Sequence, residues 1–190
     1  MISNPLLILK KLDACLESEI RLIIYGRAAL ALGFPDAPPD VHGTMDVDAI
    51  LPLSHISEYE ENEQFWLAVE RLNEELDSQG LYLTHLFVDN QVILRKNWLE
   101  MIQPIDIKEL QNVKLFRPAT EDLLLSKMMR VDPLDRADMR FLADQAGLTQ
   151  KRFEELTLEA VVPPLPEIEV AFGQNKKWLL EIVLIETQQS

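Results

Sequence analysis

Two aspartates one residue apart, Asp46 and Asp48 in Thr44-Met45-Asp46-Val47-Asp48-Ala49-Ile50-Leu51, are the residues of this chain best placed to do chemistry. On a strand alternate side chains share a face, so both carboxylates project to one side and Val47, Ala49 and Leu51 to the other. Like charges that close need a counter-charge. Paired carboxylates that leave coordination positions open for phosphate oxygens are a common way of holding Mg²⁺. The pair follows a glycine-bearing segment, Leu22-Ile23-Ile24-Tyr25-Gly26-Arg27-Ala28-Ala29-Leu30, and together they point to metal–nucleotide chemistry.

The elements that must position these residues are legible from periodicity and punctuation. Ser3 or Asn4 is expected to cap a first helix opened by Pro5, with Leu6, Leu9, Leu12 and Leu16 near helical spacing. Ile20 to Tyr25 reads as a buried strand, Arg27 to Leu32 as a short helix ended by Gly33, and proline-rich Phe34 to Gly43 as a loop. Met45 to Leu51 is the second strand. Acidic Ser54 to Glu63 is expected to be solvated loop and Gln64 to Ser78 a helix. Leu81 to Phe87 and Gln91 to Leu94 predict a hairpin through Asp89-Asn90, and Val113 to Phe116 another short strand. Beyond Pro118 helices take over: Thr120 to about Val131, Leu134 to Gln145, one capped by Thr149, and an amphipathic segment ending near Ile185. The chain is therefore expected to be α/β (α+β): a mixed sheet flanked by helices over residues 1–115, with a C-terminal helical region over 116–190 packed on it.

Composition narrows the function. The chain has 190 residues, 47% of them hydrophobic, enough for a sizeable core. No stretch approaches the ~20 apolar residues of a membrane span, and Met1-Ile2-Ser3-Asn4-Pro5 lacks the basic start of a signal peptide, so a cytoplasmic location is expected. The single Cys15 excludes an internal disulfide and a multi-cysteine zinc site, and reads as apolar filling. A net charge of −14 argues against a surface built for duplex nucleic acid. Residues 1–112 hold 19 acidic and 8 basic side chains, residues 113–190 hold 13 and 10, so the second half alone leaves room for a basic groove.

Taken together, Tyr25-Gly26-Arg27-Ala28-Ala29-Leu30-Ala31-Leu32 and Thr44-Met45-Asp46-Val47-Asp48 resemble the first motif of the nucleotidyltransferase superfamily with the DNA polymerase beta-like fold. Pro118 to Lys127 and Asp135 to Leu142 are similar to the downstream lysine and aspartate motifs of its bacterial branch, which includes the DUF6036-type and AbiE toxin-like proteins. The resemblance spans roughly residues 20 to 146. It implies that Gly26 lets backbone amides at a helix start approach nucleotide phosphates, with Tyr25, Arg27, Thr44 and Arg130 around the nucleotide. It implies that Asp46 and Asp48 bind Mg²⁺, that Lys127 neutralises the triphosphate, and that Asp138 orients Lys127 or assists deprotonation of the acceptor. Arg27 stands where many members have glycine or serine, and its guanidinium either narrows the triphosphate site or contacts phosphate. Active members usually place a third carboxylate on a neighbouring strand. Leu81 to Phe87 holds none; His85 is at an inward position there and suits Mn²⁺ better than Mg²⁺, and Asp89 sits just beyond.

Each of these residues also has a plainer reading. Gly26 suits any strand-to-helix turn, Lys127 alone would be a surface lysine, and Asp122, Arg130, Asp135, Arg136, Asp138 and Arg140 suit an interhelical ion-pair network. His85 suits a satisfied core histidine. Trp66 and Trp98 read as core or rim anchors, with Arg95 and Lys96 beside Trp98 the one hint of a base-stacking surface. Three functions follow. The first is an enzyme transferring a nucleoside monophosphate from a nucleoside triphosphate to an acceptor, with Mg²⁺ or Mn²⁺. The second is an inactive member acting as an antitoxin or regulatory partner of a basic protein, and the third a scaffold. A second copy of the chain is a further candidate partner.

Overall fold

Ile20–Tyr25 (β1) is almost wholly apolar, and four of its six side chains are buried. A strand covered on both faces takes such a composition, and β1 is the central strand of a five-stranded sheet. The computed structural model describes residues 3–183. β2 (Asp46–Leu51) runs antiparallel to β1, with Tyr25 opposite Asp48 and Ile23 opposite Ile50. β3 (Tyr82–Val88) runs parallel to β2 at the sheet edge. On the other side β6 (Val113–Arg117) runs parallel to β1, and the two-residue β5 (Gln103–Pro104) closes that edge antiparallel to β6. The sheet is mixed, as its alternating pattern predicts.

Helices α1 (Asn4–Cys15), α2 (Gly26–Gly33) and α4 (Glu63–Leu76) supply the apolar cover, with Leu9, Leu12, Leu30, Phe65 and Leu72 fully buried. Asp13, near the end of α1, is buried. Its carboxylate accepts backbone N–H bonds from Gln111, Asn112 and Val113 at 2.7–3.1 Å, which pins the start of β6. The acidic stretch expected to be loop contains a short helix, α3 (Ile56–Glu60). Its anchor is Tyr59, buried, whose hydroxyl donates to the Arg21 carbonyl at 2.8 Å. One buried aromatic outweighs the surrounding glutamates.

The chain divides into two compact units, Met1–Val88 with Ile102–Arg117 and Asp89–Met101 with Pro118–Ser190. The first holds the sheet. The second holds α5 (Thr120–Lys127), α6 (Pro133–Gln145), α7 (Gln150–Glu159), α8 (Pro166–Trp178) and a small antiparallel pair, β4 (Leu94–Arg95) with β7 (Ala160–Val161). The expected hairpin is therefore absent: β3 is followed by a 3₁₀ turn at Asp89–Gln91, and β4 pairs with β7 instead of β3. The cause is the partner of Arg95. Its backbone amide and guanidinium both donate to Asp122, fully buried on α5, and its guanidinium also meets Glu121. α5 stops at Lys127, earlier than periodicity suggests, and is preceded by Ala119 without a side-chain cap. Asp132 caps α6 and Thr149 caps α7. α8 passes into a π-helical turn at Leu179–Val183, and the expected end near Ile185 lies outside the described residues.

Candidate functional site

Strand alternation puts Asp46 and Asp48 on one face of β2 while Val47 and Ala49 are fully buried on the other. Asp46 and Tyr82 face each other across the β2–β3 pair, as do Asp48 and Thr84. The register then slips: Ala49 pairs with Leu86, leaving His85 as the extra residue of a β-bulge. His85 takes φ +47°, a left-handed conformation uncommon outside glycine. Simple alternation would turn it away from Thr84. The bulge turns it back, and its Nδ1 lies 3.0 Å from Asp48 Oδ1.

One donor atom each from Asp46, Asp48 and His85 fall within 4.8 Å of one another. The two acids are half-buried, and the His85 side chain is 58% exposed, so the cluster opens to solvent on the histidine side. Two hard carboxylate oxygens and an imidazole nitrogen suit a divalent cation that keeps water or phosphate oxygens as its other ligands, and the donor set accommodates Mn²⁺ as well as Mg²⁺. Thr44 Oγ1 donates to Asp46 at 2.9 Å and Thr84 Oγ1 to Asp48 at 3.4 Å, which orients the carboxylates. Burial pushes the Asp48 carboxyl above its usual range and the charge of Asp46 adds to the rise, while His85 and Thr84 oppose it. A cation would remove the first two penalties together.

Gly26 opens α2 at φ +64°, and a Cβ there would stand 3.5 Å from Asp48 Oδ2. Its glycine is required by the backbone conformation, and the close approach brings the start of α2 to the carboxylates. Tyr25 lies opposite Asp48 and meets Phe87 edge-on, and Phe87 in turn stacks on the His85 ring at 5.5 Å. Arg27 forms an ion pair with Asp40, in the 3₁₀ turn Pro39–Gly43.

The second unit holds the remaining candidates. Lys127 is buried at 7% exposure, not a surface lysine, and its ammonium meets Asp135 at 2.9 Å and Asp138 at 2.7 Å. Arg130 also pairs with Asp135, and its side chain is 74% exposed, so it is the cation of this group that solvent reaches. Burial raises the Asp135 carboxyl, but hydrogen bonds and charge from Arg130 and Lys127 outweigh it and hold the group below the usual range. Asp89 accepts a bond from the indole of buried Trp98 and is outside the acidic cluster. Trp98 is buried, as its reading as an anchor has it, and Arg95 is buried in its ion pairs, so the hint of a base-stacking surface there is not carried by these two side chains.

Sequence reasoning missed two residues that the geometry brings in. For Thr84 the available signal was its shared face with Tyr82 on the strand; the parallel β2–β3 register is what sets it opposite Asp48. Asp135, which opens the segment resembling the aspartate motif and reads from sequence only as part of an ion-pair network, is 2% exposed and shares Lys127 with Asp138.

A family model described as a nucleotidyltransferase of unknown function (DUF6036) matches residues 8–145, which include both clusters and exclude α7, β7 and α8. No curated protein and no solved structure gives a significant match.

Proposed function

From the premise that the chain belongs to the DUF6036 nucleotidyltransferases of unknown function, we propose that it transfers a nucleoside monophosphate from a nucleoside triphosphate to a hydroxyl or phosphate acceptor: the acceptor oxygen bonds to the α-phosphorus, the α–β phosphoanhydride bond breaks, and pyrophosphate leaves in line. The observation that carries this reading is the convergence of Asp46, Asp48 and His85 beside the glycine start of α2. These three residues would hold the divalent cation, Mg²⁺ or Mn²⁺. When bound, it neutralises triphosphate charge and lowers the acceptor oxygen's pKa. Gly26 leaves the backbone open to phosphate oxygens, Thr44 and Thr84 hold the carboxylates in position, and Tyr25 flanks Asp48. Arg27 sits one residue past Gly26 and supplies a guanidinium for phosphate once exchanged from Asp40. In the second unit Asp135 and Asp138 fix Lys127, and Arg130 offers the accessible positive charge.

Calorimetric titration with ATP, GTP, CTP and UTP, each with Mg²⁺ and then Mn²⁺, tests the reading. Metal-dependent binding of at least one triphosphate is expected, and Asp46→Asn/Asp48→Asn should abolish it while leaving the circular dichroism spectrum intact. Failure of every triphosphate to bind defeats the proposal and turns attention to a regulatory role with a protein partner. In a turnover assay with the acceptor in hand, Asp46→Asn alone should remove activity.

A further inference from the structure

Arg27, Arg95, Arg130 and Arg152 all form ion pairs with carboxylates. Arg136 and Arg140 do not. One turn apart on α6, they converge on Trp178 at the end of α8, their guanidinium carbons 5.1 and 5.9 Å from its ring centroid. Among the described residues neither has an ion-pair partner, although Asp144 lines the same cavity. The Nε of Arg136 is buried and has no hydrogen-bond acceptor. A guanidinium N–H removed from water without an acceptor is unfavourable, so the packing of Arg136 against Trp178 leaves its hydrogen-bonding capacity incompletely used.

The cavity holds about 480 Å³ and is walled on its apolar side by Phe141 and Trp178. That space exceeds what a lone phosphate or carboxylate fills, and it lies in the range of sites for nucleotide-sized ligands. Stacking against the indole restrains both guanidiniums, so their remaining N–H groups are presented with little ordering cost. Two forked donors suit the tetrahedral oxygens of a phosphate, and the aromatic wall suits a base. All the lining residues belong to the second unit, and Trp178 lies outside the segment matched by the family model.

We propose that Arg136, Arg140, Phe141 and Trp178 form a binding site for a nucleoside phosphate that needs no metal and is independent of the Asp46–Asp48–His85 cluster. The ligand is either a free nucleotide or the phosphate-bearing end of an RNA strand, since both offer the same chemistry.

The test is titration of the full chain with AMP, adenosine and a 5′-phosphorylated hexanucleotide RNA in EDTA, followed by calorimetry and by tryptophan fluorescence. AMP should bind without metal and adenosine much more weakly. Arg136→Gln/Arg140→Gln should weaken AMP about tenfold or more, Arg140→Lys should lose less than Arg140→Gln, and Trp178→Phe should remove the fluorescence change. Asp46→Asn/Asp48→Asn should bind AMP in EDTA as the unaltered protein does. Tighter binding of the hexanucleotide than of AMP assigns the site to RNA, and the reverse assigns it to free nucleotide. No binding of either, or binding unaffected by the double arginine substitution in protein with an intact circular dichroism spectrum, overturns the proposal.

Discussion

Asp48 carries a raised carboxyl pKa because burial and then the charge of Asp46 disfavour its ionised form. Between the ordinary value of 3.8 and that raised value, the native protein holds a proton that the unfolded chain has released. Stability contributed by this group therefore falls as pH rises through the window, and it stays low at neutral pH. A divalent cation competes with that same proton. Mn²⁺ affinity, followed by calorimetry, should fall as pH is lowered through the raised Asp48 pKa, at a higher pH than an ordinary aspartate would give. Asp48→Asn should raise Tm at pH 7 in EDTA and lose the stabilisation by Mn²⁺. An unchanged Tm in EDTA would mean that the charge is compensated elsewhere. His85 sits beside it in a left-handed conformation, so His85→Gly should stabilise the fold by up to about 1 kcal/mol in a thermal melt while weakening Mn²⁺ binding. The Asp-x-Asp spacing and Gly26 were legible in the sequence because period two and a strand-to-helix turn are local. The bulge was not, since nothing in Leu81 to Phe87 announces that one residue will drop out of register.

Elements whose stability is local were legible on the same grounds. β1, β2, α4, α6 and α7 follow from apolar period and capping residues, while β4, β5 and β7 have two residues each and exist only through distant partners. Arg95 shows what decides such a case. Its charge reads as surface, but Asp122 on α5, 27 positions away, draws it inside and takes β4 with it. Removing the Asp122 charge leaves the buried Arg95 with Glu121 as its remaining counter-charge, so Asp122→Asn should cost about 3 kcal/mol, the low end for breaking a buried pair, in a denaturant titration. An apolar pair, Arg95→Met/Asp122→Leu, should recover most of that loss. Near-additive losses in the double variant would refute the pairing as the source. At Asp135 the sign is the opposite of that at Asp48. A carboxyl held below its usual range contributes stability that is present above the ordinary value and lost as pH falls through the lowered one, and Asp135→Asn should flatten that acid limb.

At the scale of the molecule, the family match, the mixed sheet and the acidic balance were all visible in the sequence, but the threading of the two units was not. Composition changes near Pro118, whereas the second unit also recruits Asp89–Met101 from within the span of the first. A fragment of residues 118–190 therefore lacks Arg95 and β4, and it should show no cooperative thermal transition by circular dichroism. Adding a peptide spanning 89–101 in trans should restore part of it, and a sharp transition in the fragment alone would show that the borrowed segment is dispensable. The same threading bears on inheritance. A genetic exchange with a single breakpoint at 88/89 would carry β5 and β6 away with the helices, and one at 117/118 would part Asp122 from Arg95. Only a recombinant with three junctions trades one unit for a homologous counterpart intact.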